Sequence, residues 1–468
     1  MITPSTASRR AWGEDVRATL RLSWPLALSQ LGLFLLGFVD TYLAGKVDQQ
    51  TLAAISLGNT VFYAAAVFGQ GLLLGLDAVA SQALGARRDR AGRRALWQGV
   101  YLAVAISVPL ILAMYVVAWA LPSFGVVEPL VRGTRDYISG RAFSLAPFLI
   151  LGACRSYLQA AHLARPVIVS TVLANLINAT SDVLVLFGDD ALAAVGLPAV
   201  GLPRLGAFGL GLASSGASLT QCLFLAWAVR WVEVRPGPRS LRRFDIDLVR
   251  RIVSVGAPVG LQLFAEVFIF SFTGVLMGGI SVYAAAAHQV ALIYASLSFA
   301  LCVGIGAAAA VLVGRAVGAG DTAGARRAGF VSLGLSVAVM STSATIMIVF
   351  GETLSKFIID DAEVVPLAGQ LLRVAAVFQL VDGVQAVAAG ALRGAGVTRF
   401  SLVSNLVGHW AIGIPVGLAL GFSAGLGPVG LWWGLTTGLA AVAVALTFKF
   451  VVLTRRPIES VVGGLVDD

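Results

Sequence analysis

Twelve apolar runs divide this chain almost end to end, and they leave little choice of fold. They lie near 20–45, 53–82, 95–122, 133–161, 166–188, 205–231, 252–280, 284–313, 326–350, 365–392, 400–423 and 427–453. A helix that crosses the hydrocarbon core of a bilayer needs about 20 residues. An isolated segment in lipid satisfies its backbone hydrogen bonds only as a helix. Of 468 residues, 58% are hydrophobic and 12% charged, against roughly 25% charged in an ordinary soluble domain. That composition excludes a cytosolic enzyme. The net charge of +9 does not mark nucleic-acid binding, because the basic residues gather in connections on one face. With the N-terminus inside, the inner segments hold Arg9, Arg10, Arg17 and Arg21, the group Arg87 to Arg94, Arg165, the linker arginines from Arg230 to Arg251, and later basic pairs such as Arg326-Arg327 and Arg455-Arg456. The outer segments hold Lys46, Arg132, Arg135, Arg204 and Lys356. This asymmetry predicts a multi-pass protein of the cell inner membrane with both termini cytoplasmic. The first run reads as a span and not as a cleaved signal peptide, since it is long and carries Asp40.

The second constraint is an internal echo. Leu84-Gly85-Ala86 with Arg93-Arg94 returns as Val317-Gly318-Ala319 with Arg326-Arg327, 233 residues later, the same offset that relates Pro25 to Pro258. Asn175-Leu176 matches Asn405-Leu406 at 230, and Gly206-x-x-Gly209-Leu210 matches Gly427-x-x-Gly430-Leu431 at 221. Six spans per half is an even number, so both halves enter the membrane from the same side. The expected architecture is an all-α polytopic membrane protein: twelve transmembrane helices in two pseudo-symmetric six-helix bundles around a central cavity. The halves are 1–231 and 251–468, joined by a cytoplasmic linker at 232–250. Repeats of this kind rock against one another to give alternating access.

Ionisable side chains inside spans cost several kcal/mol unless paired or hydrated, so each is a functional candidate. Five carboxylates qualify: Asp40, Asp77, Asp182, Glu266 and Asp382. Arg141, Arg155 and Arg373 lie near span ends, where snorkelling accounts for them, so the acids are expected to lack matching bases. Asn175, Asn178 and Asp182 are spaced i, i+3, i+7 on one face of the fifth span. With Asp40, and a hydroxyl from Ser214 or Ser215, they form an oxygen-rich set suited to a hard cation or a proton. Aromatic residues near the acids (Phe34, Phe38, Tyr42, Phe264, Phe268, Phe270) would suit flat organic cations where they line a cavity. Other chemistries lack support. His162, His288 and His409 have no metal-ligand spacing, with His288 read as an interhelical hydrogen-bonder, and no G-x-x-x-x-G-K-[ST] loop occurs. Gly71-x-x-x-Gly75 and Gly304-Ile305-Gly306 read as close helix contacts. Cys154, Cys222 and Cys302 imply no disulfide framework.

Several segments, in order, resemble the multidrug and toxic compound extrusion (MATE) family from about residue 20 to 453. They are Phe38-Val39-Asp40-Thr41, Ser81-Gln82-Ala83-Leu84-Gly85-Ala86, Pro166 leading to Asn175-x-x-Asn178-x-x-x-Asp182, Gln262-x-x-x-Glu266, Ala287-His288-Gln289, and Gln379-x-x-Asp382-x-x-Gln385 followed by Leu392-Arg393-Gly394-Ala395-Gly396. The resemblance implies a transporter, not an enzyme, exporting organic-cation drugs or toxic metabolites in exchange for inward H⁺ or Na⁺, with no other cofactor and as a monomer in the bilayer. Asp40, Asn178 and Asp182 match the family's N-lobe cation or proton cluster, where Na⁺ would bind. Ser214 stands where the family usually has threonine. Glu266 and Asp382 match the C-lobe acids of the NorM-type branch; Asn175, Gln262 and Gln379 complete the candidate set. Asp77 sits where eukaryotic relatives often carry an acid. The rival readings are a lipid-linked oligosaccharide flippase of the same superfamily, which would want a cationic cavity, and an intramembrane enzyme such as a prenyltransferase, for which Asp189-Asp190 is too short and isolated a motif.

Overall fold

The computed structural model describes residues 6–194, 196–234 and 241–463. The linker positions Arg235 and Arg239, and the side chains of Arg9, Arg10, Phe38 and Tyr42, lie outside the described residues. Twelve helices are long and apolar enough to cross a membrane. They are α1 (Thr6–Val47), α2 (Gln49–Gly85), α3 (Asp89–Phe124), α4 (Glu128–Ala160), α5 (Arg165–Phe187), α6 (Gly206–Trp231), α7 (Ile246–Ile280), α8 (Val282–Gly318), α9 (Thr322–Ile358), α10 (Val364–Gly394), α11 (Arg399–Ser423) and α12 (Gly427–Leu453). Every expected apolar run falls on one of these helices, to within a residue at its ends.

The main departure is α1, which begins well before residue 20. Its first turns are polar and rich in Ala and Arg, which favour helix, and Asp15 anchors them by an ion pair to Arg327 at the start of α9, Nε to Oδ2 3.0 Å. Capping residues set several other starts: Asp48 accepts from the Thr51 amide at 2.7 Å, Ser281 from Ala284 at 3.0 Å, and Asp321 from Gly324 at 2.7 Å. Each satisfies an amide that the first helical turn leaves without a partner.

Helices α1–α6 pack as one half, with α5 against α1 and α6 and α4 against α6; α7–α12 form the other, with α10 against α8, α9 and α12. Between the halves, α1 meets α8, and α2 meets α7 and α8. Small residues make these meetings possible. A methyl on Gly71 would overlap the Cα of Gly260, and one on Gly256 the Leu72 carbonyl oxygen. Gly304 is pressed in the same way against Ala27, and Gly85 against the Arg315 backbone. The G-x-x-x-G spacing of α2 is therefore answered by Gly256-x-x-x-Gly260 on α7, as close helix packing requires. All these approaches fall toward the end of the molecule that carries the basic loops, where the halves are shut together.

Candidate functional site

In the first half the structure gathers four polar side chains from three helices: Asp40 of α1, Asn178 and Asp182 of α5, and Ser214 of α6. None is more than 1% exposed. Ser214 Oγ donates to Asp40 Oδ2 at 2.9 Å, and Asn178 Nδ2 donates to Asp182 Oδ1 at 3.2 Å. The Asp40 and Asp182 carboxyl groups lie within Coulombic reach of one another. This leaves three buried oxygens without a partner: Asp40 Oδ1, Asn178 Oδ1 and Asp182 Oδ2. Buried polar atoms are paired almost everywhere in proteins, and three orphaned acceptors in one cluster are of the kind that an added positive charge would satisfy. Oxygen donors of this kind suit a hard cation.

Asn175 stands apart from this cluster. Its Nδ2 donates to the carbonyls of Gly32 (3.0 Å) and Thr171 (2.9 Å), which ties α1 to α5. Ser215 likewise binds backbone, at the Gly140 carbonyl (2.8 Å).

Glu266 organises the second half. Its Oε1 accepts amide hydrogens from Gln262 and Gln385, each at 3.1 Å, and from Asn405. Asp382, 8% exposed, lies within Coulombic reach of Glu266. Gln379 is not a member: it is fully buried and donates to the Ala295 carbonyl at 3.0 Å, joining α10 to α8. Nearby, Phe268 stacks on Trp410 with ring centres 5.6 Å apart, while Phe34 and Phe264 are 47% and 44% exposed.

Asp77 belongs to neither cluster. At 1% exposure it pairs across the halves with Arg393 of α10, Oδ2 to Nε 3.2 Å. The expectation that the in-span acids lack matching bases is thereby corrected. Arg141, read as a snorkelling residue, is 4% exposed and lies over the Phe62 ring at 4.1 Å, within Coulombic reach of Asp182. Its Nε and Nη1 have no hydrogen-bond partner. Gly140 and Gly211 cause this orientation by bringing α4 and α6 into backbone contact; a Cβ on Gly211 would stand 2.7 Å from the Arg141 amide nitrogen. Arg155 also turns inward, donating from Nη1 to Gln30 Oε1 at 3.0 Å. His288 behaves as expected, its Nδ1 accepting from the Trp432 indole at 3.2 Å and so joining α8 to α12.

Reading the sequence left out the inward placement of Arg141, the Asn405 bond to Glu266 and the pairing role of Arg393. Asn405 alone carried a signal: it is the repeat partner of Asn175, yet in the second half the amide binds a carboxylate instead of a backbone carbonyl.

Twelve spanning helices in two packed halves, each with a buried acid cluster, define a multi-pass membrane transporter. The chain belongs to the MatE family, whose model matches residues 25–184 and 258–419. It is 36% identical to a probable multidrug resistance protein NorM of Bradyrhizobium diazoefficiens, over 94% of this chain and 93% of the relative. It is 35% identical to the multidrug resistance protein NorM of Burkholderia vietnamiensis, over 96% of each. Among solved structures, the eukaryotic MATE transporter AtDTX14 superposes with a TM-score of 0.81 at 19% identity, covering 96% of this chain and all of that one. An outward-facing multidrug resistance MATE family transporter superposes with a TM-score of 0.82 at 17% identity, covering 97% of this chain and all of that one. These two likenesses speak to the fold alone.

Proposed function

We propose that this protein is a multidrug efflux transporter of the inner membrane that exports organic cations in antiport with H⁺ or Na⁺ by alternating access. The basic-loop end faces the cytoplasm, both termini are cytoplasmic, and a monomer is the working unit. The observation that carries this reading is the trio of orphaned buried oxygens on Asp40, Asn178 and Asp182, at which the coupling cation is taken up as cargo. Arg141 offsets one of the two carboxylates, so a single added positive charge completes the cluster. Glu266 and Asp382 give the other half a second acidic surface, with Gln262, Gln385 and Asn405 fixing the Glu266 carboxylate by three donated hydrogen bonds. Charge-assisted bonds of this kind hold a carboxylate in one orientation. Cation entry from outside neutralises the acids and weakens their hold on a cationic drug, which leaves outward. The halves then rock and deliver the coupling cation inside.

The test is purified protein in liposomes loaded with a fluorescent organic cation. An imposed H⁺ or Na⁺ gradient should drive dye movement against its own gradient, and Asp40→Asn should abolish it. Dye movement that ignores both gradients would overturn the antiport reading.

A further inference from the structure

Beyond the last span, the chain turns back across the seam between the two halves. Ser460 Oγ and the Val461 amide both donate to Gln82 Oε1, at 2.9 and 2.7 Å. Arg88 Nη1 donates to the Val462 carbonyl at 3.2 Å. Gln82 and Arg88 belong to the first half. On the other side, Arg251 Nη1, at the start of α7, donates to the carbonyls of Val461 and Gly463, each at 2.9 Å. Val462 is 1% exposed and sits in a cluster built from α2, α3, α4 and α6, together with Leu248 and Ile252 of α7. The Val461 side chain presses on Gly396.

Gln82 is the keystone. It is fully buried, and while its oxygen takes the two bonds above, its Nε2 donates to the Gly394 carbonyl at the end of α10, at 2.8 Å. One side chain of the first half therefore holds both the end of α10 and the returning C-terminal segment. Opening the cytoplasmic end would break the Gln82–Gly394 bond and part the strap either from Gln82, Arg88 and the Val462 cluster or from Arg251 and Gly396, and either separation costs free energy.

We propose that residues 460–463 are a strap that latches the cytoplasmic seam and biases the resting protein toward its cytoplasm-closed state. This rests on the alternating-access reading above. Rocking to the inward-open state requires the strap to leave at least one half.

The experiment places spin labels on the two cytoplasmic ends, at Arg165→Cys and Ala319→Cys, both exposed, and measures their separation in lipid nanodiscs by pulsed electron resonance. The three native cysteines are buried and serve as an unlabelled background. Two variants are compared with the full chain: one ending at Glu459, and Val462→Asp, which keeps the length but drives the segment out of its apolar seat. Both should raise the long-distance, inward-open population about ten-fold or more. Distance distributions that superpose on the parent for Val462→Asp, in a protein that still transports, would overturn the strap and leave the antiport reading standing. Should the shortened chain fail to fold, Val462→Asp decides alone. A parent that shows one distance at every pH and Na⁺ concentration, and no transport in liposomes, would instead remove the antiport reading.

Discussion

The ion pair between Asp77 and Arg393 offers a quantitative test of how the halves are held shut. Its side chains are 1% and 13% exposed and its charged atoms stand 3.2 Å apart. At an effective dielectric constant of about 20, two unit charges at that distance attract by roughly 5 kcal/mol. Desolvation of both groups consumes much of this, whereas removing one partner of such a pair strands the other and costs about 3–5 kcal/mol. Arg393→Gln strands Asp77, whose Oδ1 already has no hydrogen-bond partner. Arg155 lies within Coulombic reach of Asp77 and compensates in part, so the expected loss is at the lower end, about 3 kcal/mol. Asp77→Asn should cost less, about 1 kcal/mol, because the longer Arg393 side chain can carry its charge toward the basic-loop surface. The double variant removes both charges and should lose about 2 kcal/mol, half the sum of the single losses, a coupling of about 2 kcal/mol. Reversible unfolding in mixed detergent micelles, run as a double-mutant cycle, measures this directly. Additive effects, or a coupling below about 0.5 kcal/mol, would refute the pair as a clasp between the halves.

Three further outcomes follow from the same coordinates. Asp40→Asn should reduce ethidium efflux to background at matched expression while changing stability by no more than about 1 kcal/mol, since an amide oxygen still accepts from Ser214; wild-type efflux would sink the assignment. Gly256→Leu should hold the halves apart where α2 meets α7, because its side chain would overlap the Leu72 carbonyl; faster amide exchange in both α2 and α7 is the expected reading, and unchanged exchange would contradict the packing account. The outer loop depends on Asp189, whose carboxylate accepts from the amides of Leu202 (3.0 Å), Val200 (3.1 Å) and Gly201 (3.0 Å). These bonds, Leu202's foremost, hold its pKa below the ordinary 3.8. Loop order is therefore fully present above that ordinary value and is lost as pH falls through the lowered one. Hydrogen exchange of residues 200–202 should rise in Asp189→Ala at neutral pH, and equal protection in the two proteins would exclude this anchor.

The spans were legible because hydropathy acts over about 20 residues and in lipid has few structural solutions. Asp40, Asn178 and Asp182 were legible for a related reason: a carboxylate is so costly in a span that it announces itself, and helical spacing puts Asn178 beside Asp182. The arginines were not legible. Arg393 closes α10 and Arg141 lies in the first half of α4, positions from which a guanidinium can equally reach a surface, and only the Gly140–Gly211 and α2–α10 contacts place these two inward. Asn175 and Gln379 are placed apart from the acid clusters by their amide hydrogens, while their buried Oδ1 and Oε1 have no partner. Each lies on the right helix, but a nearby backbone carbonyl claims its amide. The strap was invisible because its bonds join positions 210 to 379 residues apart and use mostly its backbone groups.

On the antiport reading, one acidic interior serves drug and coupling cation in turn. Equilibrium binding of a fluorescent organic cation to the purified protein, across series of pH and Na⁺ concentration, tests it most directly. Competition predicts that drug affinity falls as the coupling cation rises, and that bound drug lowers cation affinity by the same factor, because linkage is reciprocal. Asp40→Asn and Asp182→Asn should flatten that dependence. A drug affinity in the native protein that is indifferent to both pH and Na⁺ would contradict the account.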